Sequence, residues 1–522
     1  MQLDALYGPV VSTYLKLWLL RRGNQDVDGI ASHLAGVNPR SSQQSAMVRA
    51  LPLLRCAMTS SLFSSLKLNP AQLDALTGLG YSAMTPVQAQ SLPAILQRRD
   101  VIIQAATGSG KTAAFAIGIL HHLNPRFFGV QALVMCPTRE LAEQVGKSIR
   151  QLASRMSNVK TVMLCGGKPF GSQRDSLQHG AHIVVGTPGR IQDHLTRGTL
   201  ELKGVTTFVL DEADRMLDMG FAEVMEDITA RLPKDRQTLL LSATFPEDIK
   251  KISRTIQKNP SQIIVEAPAS SEKAVVEQLF YEVKKHERDP GLLALFEHHR
   301  PRNAMVFCNT KQQCAEVARF LRQHDIEAAA IHGDLDQLER DQVLLQFAND
   351  SCPVLVASDV AARGLDIPLL AMVVNYELPR DADTYVHRIG RTGRAGESGK
   401  AYSLVTPPEA PRMRVIEEYV KTNCICDVLS SLDRDPNYEL QGSMVTLQFD
   451  AGRKQKIRPG DLLGVLTGDA GLAGGQIGKI SISDNSSCVA IERSALRQAM
   501  NYLADGKVKG RAVRVRRLQT QR

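Results

Sequence analysis

The chain has 522 residues, of which 43% are hydrophobic and 22% charged, as in a soluble protein with three or four domains. Its nine cysteines are scattered singly, and the closest pair, Cys424 and Cys426, lacks the two-residue spacing of a metal knuckle or redox pair. We therefore expect reduced thiols in the cytoplasm. The best membrane candidate, residues 14–20, contains Lys16 and is far shorter than the ~20 apolar residues of a membrane span, so no membrane association is expected.

The net charge of +9 is concentrated at the C-terminal end. Residues 441–522 carry 14 Lys and Arg against 6 Asp and Glu, a balance of +8, whereas residues 58–440 carry 43 against 45, a balance of −2. The last 82 residues are therefore the expected binding region for a polyanion such as nucleic acid.

Residues 1–57 show no sustained helical or strand period, and they predict no function. Because Met58 opens a segment that resembles a natural start, we expect the preceding residues to be a poorly ordered extension or a wrongly assigned start. A small docking helix around residues 14–20 is the alternative.

Two side chains upstream of the first strand are suited to adenine. Gln88, in the segment TPVQ, offers an amide donor and acceptor in one plane, and Phe63 can stack on a base. A surface or capping role for Gln88 is the alternative.

Residues 101–112, VIIQAATGSGKT, predict a strand, a phosphate-binding loop and the first turn of a helix. Glycines let backbone N–H groups close around phosphate oxygens, while Lys111 supplies a charge for the β- and γ-phosphates and Thr112 a hydroxyl for Mg²⁺. Ala105 replaces the usual first glycine, and a chance glycine-rich turn is the alternative. The nucleotide contacts expected from this loop are Thr107, Gly108, Ser109, Gly110, Lys111 and Thr112.

Short apolar runs alternate with helical segments between residues 132 and 244, which predicts a parallel sheet covered on both faces. Ligands bind beyond the carboxyl ends of the strands in such sheets. The polar residues that terminate these runs should therefore lie on one edge: Thr138, Thr187, Asp211 and Ser242.

The tetrapeptide Asp-Glu-Ala-Asp at residues 211–214 directly follows one of these strands. Asp211 is placed to hold Mg²⁺ through water, and Glu212 to orient or deprotonate the attacking water. An acidic surface turn is the alternative.

A second series of strands and helices, residues 278–405, lacks a phosphate loop but contains the basic segment YVHRIGRTGR, residues 385–394. Because the first series has no obvious arginine finger, Arg391 and Arg394 are candidates to supply one across a cleft. A solvated basic face is the alternative.

Taken together, residues 63–405 resemble the DEAD-box RNA helicases of superfamily two. The motifs that carry the resemblance occur in order: TPVQ, AATGSGKT, PTREL, GG, TPGR, DEAD, SAT, FCNT, SDVAARGLD and HRIGRTGR. The resemblance implies an α/β fold with two tandem RecA-like domains, at residues 58–270 and 271–435, that close around ATP and single-stranded RNA.

The resemblance also implies roles for individual residues. Gln88 and Phe63 would select adenine, and Gly364 and Asp366 would meet the nucleotide sugar. Lys111, Asp211, Glu212, Arg391 and Arg394 would serve hydrolysis, with Mg²⁺ held by Thr112 and Asp211. Ser242 and Thr244 with His387 would couple hydrolysis to RNA. The RNA backbone would be gripped by Thr138, Arg139, Gly167, Thr187, Gly189, Arg190, Thr310 and Ser358.

From Met444 the pattern is β-α-β-β-α-β, ending in KGRAVRVRRL, which is typical of a small α+β RNA recognition motif over residues 441–522. Its central strands contain Phe449 but lack the expected pair of aromatics, so the RNA contacts are expected from basic residues instead. They are Arg453, Lys454, Lys456, Arg458, Lys507, Lys509 and Arg511. This tail resembles that of bacterial DEAD-box helicases that recognise a hairpin of large-subunit (23S) rRNA during ribosome assembly.

The leading hypothesis is an RNA-stimulated ATPase, a monomer that locally separates rRNA duplexes in pre-ribosomal particles. An ATP-gated RNA clamp or assembly scaffold uses the same motifs and remains open. A DNA translocase is disfavoured by the DEAD-type motifs and the RNA-binding tail.

Overall fold

The computed structural model of the protein describes residues 62–105, 108–265, 276–362, 365, 370–393, 399–421, 424, 426–505 and 507–518. The N-terminal extension and the docking helix considered above lie outside the described residues. The chain divides into two units, Met1–Thr85 and Pro86–Arg522. In the first unit, helix α1, Pro70–Gly78, follows the 3-10 turn Phe63–Ser65 and is capped by Asn69, whose side chain accepts a 3.0 Å hydrogen bond from the Ala71 amide.

The second unit opens with helix α2, Pro86–Leu96, and a domain built on a seven-stranded parallel sheet. Its strands are β1 Val101–Ala105, β2 Ala132–Met135, β3 Thr161–Leu164, β4 Ile183–Gly186, β5 Thr207–Leu210, β6 Gln237–Ser242 and β7 Ser261–Val265. Its further helices are α3 Lys111–His122, α4 Arg139–Leu152, α5 Phe170–Gln178, α6 Pro188–Thr196, α7 Ala213–Asp218, α8 Ala222–Ala230 and α9 Glu247–Ile256. Most strand residues are buried, as expected for apolar runs that need cover on both faces.

The strand order in this first domain is β3-β4-β2-β5-β6-β1-β7. All neighbouring strands are parallel, so their carboxyl ends meet at one edge. Strands β5, β6 and β1 are adjacent, which brings Asp211, Ser242 and the phosphate loop to that edge although they are far apart in sequence.

The second domain repeats the arrangement with strand order β10-β11-β9-β12-β13-β8-β14. Its strands are β8 Val276–Glu282, β9 Ala304–Cys308, β10 Ala328–Ile331, β11 Val354–Ser358, β12 Met372–Asn375, β13 Gly399–Val405 and β14 Cys426–Asp427. Its helices are α10 Arg288–His299, α11 Lys311–Gln323, α12 Gln337–Ala348, α13 Asp359–Ala362, α14 Ala382–Ile389 and α15 Ala410–Val420. The prediction of two tandem parallel-sheet domains is confirmed.

The C-terminal domain has a four-stranded sheet in the order β16-β17-β15-β20. Its elements are β15 Met444–Phe449, α16 Pro459–Gly464, β16 Ile477–Ile482, β17 Ser487–Glu492, α17 Leu496–Asp505, β18 Lys507–Val508, β19 Arg511–Ala512 and β20 Val515–Arg517. The small α+β domain is therefore confirmed.

The predicted last strand of the C-terminal domain is present as β20, which pairs with β15, and a short hairpin that the sequence did not predict, β18 and β19, precedes it. The reason is a turn at Lys509 and Gly510, where φ is 54° and 76°, the positive values that a tight hairpin requires. Within the described ranges, no helix combines the length and the apolar character needed to cross a bilayer.

Candidate nucleotide and RNA sites

The phosphate loop lies between β1 and α3. Gly108 and Gly110 have φ values of 82° and 94°, which favour glycine, and a Cβ added to Gly108 would meet nothing within 4 Å. The backbone at this point is thus open to a ligand. Thr107 lies outside the described residues.

Lys111, the first residue of α3, is buried and donates a hydrogen bond to the carbonyl of Ala105. Burial lowers the pKa of the ammonium, while Asp211 and Glu212 act in the opposite direction. A buried ammonium group next to an open glycine loop is suited to binding the phosphates of a nucleotide.

Asp211 directly follows β5 and is only 3% exposed. Burial, together with the charge of Glu212, raises the pKa of its carboxyl to about 7, against the opposing charge of Lys111. Glu212 has a left-handed backbone, with φ 54°, and its carboxylate accepts a 2.9 Å hydrogen bond from Arg215. Carboxylate oxygens are the ligands that Mg²⁺ prefers, and a bound divalent cation would offset the cost of burying the Asp211 charge. The site therefore suits a cation such as Mg²⁺.

Asp214 connects the DEAD segment to the residues after β6. One carboxylate oxygen accepts hydrogen bonds from the amides of Ala243 and Thr244, at 3.2 and 2.9 Å, and from the Thr244 hydroxyl at 3.0 Å. Burial acts to raise the pKa of Asp214, but these bonds outweigh it and the pKa is lowered. Ser242 donates to the Thr244 carbonyl at 2.6 Å, which fixes the same turn.

His387, on α14 of the second domain, is electrostatically coupled to this segment. Burial lowers the pKa of its imidazole to about 4, with Arg215 acting in the same direction and Asp214 against it. Asp214 is thus the residue common to the three predicted coupling residues: it accepts a hydrogen bond from Thr244, whose carbonyl is bonded by Ser242, and its charge acts on His387. Sequence reasoning assigned no role to Asp214 or Arg215, although the first is the last residue of the DEAD motif.

The basic residues of the segment 385–394 are not equivalent. Arg391 donates a 3.0 Å hydrogen bond to the carbonyl of Leu365. Arg388 is 1% exposed and its guanidinium bonds to Asp359, at 2.6 and 2.8 Å, as well as to Asn309, Asn375 and the Glu377 carbonyl. Arg388 thus stabilises the second domain by joining several of its segments. Arg394, Gly364 and Asp366 lie outside the described residues.

The predicted RNA-gripping residues of the first domain cluster at the edge where α4 begins. Thr138 caps α4 by accepting a 3.3 Å hydrogen bond from the Leu141 amide, and Arg139 lies so close to the glycine pair that a Cβ on Gly166 would stand 2.7 Å from its guanidinium. Arg190 donates to the Lys168 carbonyl at 3.0 Å.

The other predicted RNA-contacting residues of this domain follow β4 and β3: Thr187 lies between β4 and α6, Gly189 is the second residue of α6, and Gly167 lies between β3 and α5. The Thr187 amide bonds to the Leu164 carbonyl at 3.0 Å, and a Cβ on Gly189 would meet nothing within 4 Å. Gly167 has φ 77°. The open space at Gly189 allows a ligand backbone to approach closely, whereas the space beside Gly167 is occupied by the side chains of Arg139 and Gln337.

The second domain contributes Thr310, which caps α11, and Ser358, which ends β11 beside β9. Helix α12 of this domain contacts the grip directly, because Gln337 accepts a hydrogen bond from Arg139 and Arg340 forms a salt bridge with Glu140. Sequence reasoning missed Gln337 and Arg340, since nothing in their local pattern indicates a contact with the other domain.

The two predicted adenine-selecting residues fall in different units. In the second unit, Gln88 is buried and its amide donates a 3.2 Å hydrogen bond to the Gly110 carbonyl, so it supports the phosphate loop. In the first unit, Phe63 packs edge-to-face on Tyr81, with ring centroids 6.1 Å apart.

The seven basic residues predicted in the C-terminal domain are all exposed. They come from two segments that the structure joins, because Lys509 of the β18–β19 turn donates to the Lys456 carbonyl at 3.0 Å and to Asp461 at 3.2 Å. We call residues 453–458 together with residues 507–511 the basic patch.

The sheet of the C-terminal domain has one face under its helices, and the opposite face meets the second domain. Thr446 and Ala490, paired across β15 and β17, are each 1% exposed. The Thr446 hydroxyl lies 3.1 Å from the Asn349 amide and 2.8 Å from the Ser351 hydroxyl. This part of the sheet is therefore covered and cannot stack on bases.

One carboxylate of the second domain, Glu327, strengthens the same interface. It accepts hydrogen bonds from the Gly442 amide at 2.8 Å and from Arg493 at 2.7 Å, and lies 3.5 Å from Arg517. The C-terminal domain is thus held on the second domain by buried polar contacts and ion pairs.

Three family models match this chain: DEAD/DEAH box helicase over residues 85–252, Helicase conserved C-terminal domain over 287–396, and DbpA RNA binding domain over 446–517. The ATP-dependent RNA helicase DbpA of Escherichia coli K12 is 49% identical over 460 residues, which cover 88% of this chain and 99% of that relative. The chain belongs to the DbpA-like DEAD-box RNA helicases. DbpA of Bacillus subtilis 168 is 37% identical over 475 residues, covering 87% of this helicase and 99% of that relative.

A solved structure of Saccharomyces cerevisiae Dbp5 bound to RNA and ADP BeF3 is also similar to this helicase, with a TM-score of 0.65 and 30% identity. The match covers 71% of this chain and 96% of that one. The protein is therefore an RNA-dependent ATPase and ATP-dependent RNA helicase, and the resemblance proposed from the sequence is confirmed.

Proposed function

We propose that the helicase hydrolyses ATP at the edge of the first sheet. The open loop at residues 108–112 and the buried Lys111 would bind the phosphates, and Gln88 and Phe63 would select adenine. Thr112 and Asp211 would hold Mg²⁺, which neutralises phosphate charge when bound. Glu212, oriented by its 2.9 Å bond to Arg215, would position the attacking water.

From the second domain, Arg391 and Arg394 would stabilise the transition-state charge, and Gly364 and Asp366 would contact the sugar. Ser242, Thr244 and His387 would transmit RNA binding to this site. Asp214 would take part, because it accepts a hydrogen bond from Thr244 and its charge acts on the pKa of His387.

We further propose that the RNA grip holds the sugar-phosphate backbone of one strand. The grip consists of Thr138, Arg139, Gly167, Thr187, Gly189 and Arg190, with Thr310 and Ser358. Backbone contacts carry no base information, so this part should act on many RNA sequences.

The basic patch would then determine which RNA the helicase prefers. Its residues are exposed and adjacent, whereas the face of the sheet that carries Thr446 and Ala490 is covered. This observation carries the proposal that the C-terminal domain, residues 441–522, anchors a hairpin of large-subunit (23S) rRNA. The helicase would remodel neighbouring duplexes during large-subunit assembly, as a cytoplasmic monomer with RecA-like domains at residues 58–270 and 271–435.

The test uses the salt dependence of RNA binding. Lys454, Lys456 and Arg458 are replaced together by glutamine, and each lost contact to a single-stranded phosphate should flatten the log–log salt slope by about 0.7. Large-subunit rRNA should then lose its advantage over arbitrary RNA in stimulating ATP hydrolysis. Exposed Lys203, replaced by glutamine in the same way, is the control for charge.

If the triple variant still prefers rRNA as strongly as the intact chain, the basic patch is not the specificity element. A strand-displacement assay with ATP separates duplex remodelling from the alternative of an ATP-gated clamp, which would bind RNA without releasing a strand.

A further inference from the structure

A cleft of about 540 Å³ lies where all three domains of the second unit meet. Helix α4 lines it from the first domain and the C-terminal half of α12 from the second, and Lys479 on β16 reaches it from the C-terminal domain. Its apolar lining includes Met163 and Phe347. We call it the three-domain cleft.

The carboxylates around this cleft already have partners. Glu140 is paired with Arg340 and Glu143 with Lys168, and Asp341 accepts a 2.7 Å hydrogen bond from the Gln337 amide. The charges of Glu140 and Glu143 are therefore balanced by cations within the protein, and Asp341, whose partner is a neutral amide, is the one lining carboxylate of the described residues without a cation beside it.

Three cationic side chains that line the cleft, in contrast, have no carboxylate partner among the described residues. Lys147 and Arg150, on α4, and Lys479 are exposed, and among the described residues no carboxylate lies at ion-pair distance from any of them. They come from two domains and converge on one cavity. A site of this kind attracts a ligand with more than one negative charge.

The cleft is continuous with the proposed RNA grip. Glu140, on its wall, follows Arg139 in the chain, and Lys168 follows Gly167 and holds Arg190 through its carbonyl. A strand leaving the grip along α4 would therefore meet Lys147 and Arg150 next, and then Lys479.

We propose that the three-domain cleft binds the phosphodiester backbone of single-stranded RNA and extends the path of the gripped strand to the C-terminal domain. This inference rests on the proposed RNA grip and adds a binding site to it. Lys147, Arg150 and Lys479 contact phosphates, while the apolar lining tolerates any base. The cleft thereby links the part of the helicase that acts on RNA to the part that anchors it.

The experiment measures binding of fluorescent oligouridylates of about 6 and about 15 nucleotides, lengths within the range of single-strand sites, in the presence of Mg²⁺ and ADP–beryllium fluoride. Lys147, Arg150 and Lys479 are replaced by glutamine, singly and together, with Lys203→Gln as the matched control. Circular dichroism and thermal unfolding verify that each variant is folded, as expected for exposed positions.

For the intact chain, the long oligonucleotide should bind more tightly than the short one and with a steeper salt dependence. The triple variant should flatten the log–log slope for the long oligonucleotide by up to roughly 2, at about 0.7 per phosphate, and leave the short one nearly unchanged. The single Lys479→Gln variant should account for about a third of that change, which would show that the C-terminal domain takes part.

An unchanged difference between long and short oligonucleotides in the triple variant would overturn the inference and leave the grip intact. If the intact chain fails to bind even the short oligonucleotide, the proposed grip is wrong and the cleft inference falls with it. Since oligouridylate contains no rRNA sequence, neither result depends on the proposed specificity of the basic patch.

Discussion

Replacing Asp211 with asparagine should stabilise the first domain in the absence of nucleotide and Mg²⁺, and more so at high pH. In the folded chain, burial and the charge of Glu212 raise the pKa of Asp211 from 3.8 to about 7. The folded state therefore binds more protons than the unfolded state between these values, and its stability falls as the pH rises through them. Below pH 3.8 the carboxyl is neutral in both states and the penalty disappears.

The size of the effect follows from the difference between 3.8 and about 7. At ~1.36 kcal/mol per pH unit, the buried charge costs about 4 kcal/mol above pH 7 and about 1.6 kcal/mol at pH 5. Asparagine has nearly the same shape and carries no charge, so the variant avoids this cost. A tenfold change in an equilibrium corresponds to ~1.4 kcal/mol, so the opening of β5 should be suppressed about 10³-fold at pH 8 and about 15-fold at pH 5.

Hydrogen exchange measured by mass spectrometry on β5 and β6 reports this opening. The variant is compared with the intact chain at the same pH and in EDTA, so that intrinsic exchange rates and bound metal do not contribute. Exposed Asp235, replaced by asparagine, is the control for the loss of one carboxylate from this domain. Equal protection of the Asp211 variant and the intact chain at both pH values would refute the reasoning.

Four further substitutions test the proposed roles. Glu212→Gln should keep nucleotide and RNA binding but lower ATP turnover at least ~10²-fold, as measured by phosphate release. Lys111→Ala should instead weaken nucleotide binding itself in a fluorescent-nucleotide titration. Thr244→Val removes one hydroxyl bond to Asp214, worth about 1.5–3 kcal/mol, and should lower RNA-stimulated turnover about 10- to 100-fold with unchanged nucleotide affinity. Arg388→Met breaks a buried ion pair and should destabilise the second domain by about 3–5 kcal/mol in urea unfolding; an unaltered unfolding curve would contradict the structural role given to it.

Local sequence was sufficient for the elements whose chemistry lies within a few residues. The phosphate loop at 101–112 is recognisable because an apolar strand, glycines that adopt positive φ and a Lys-Thr pair occur in immediate succession. The alternation of short apolar strands with helices likewise predicted both parallel sheets, since strands buried on both faces must be apolar throughout. The basic C-terminal segment was identified by its charge alone.

Only the tertiary structure decided what those elements contact. Arg388 and Arg391 look alike in the segment 385–394, yet the first is buried in a network within the second domain and the second reaches the Leu365 carbonyl. The bonds of Asp214 to the turn after β6 depend on the adjacency of strands β5 and β6. Likewise, only the packing of Thr446 against Asn349 and Ser351 shows that one face of the C-terminal sheet is covered. These contacts join residues about 30 to 100 positions apart, and such pairings arise from the packing of whole elements, which leaves no periodic or local pattern in the sequence.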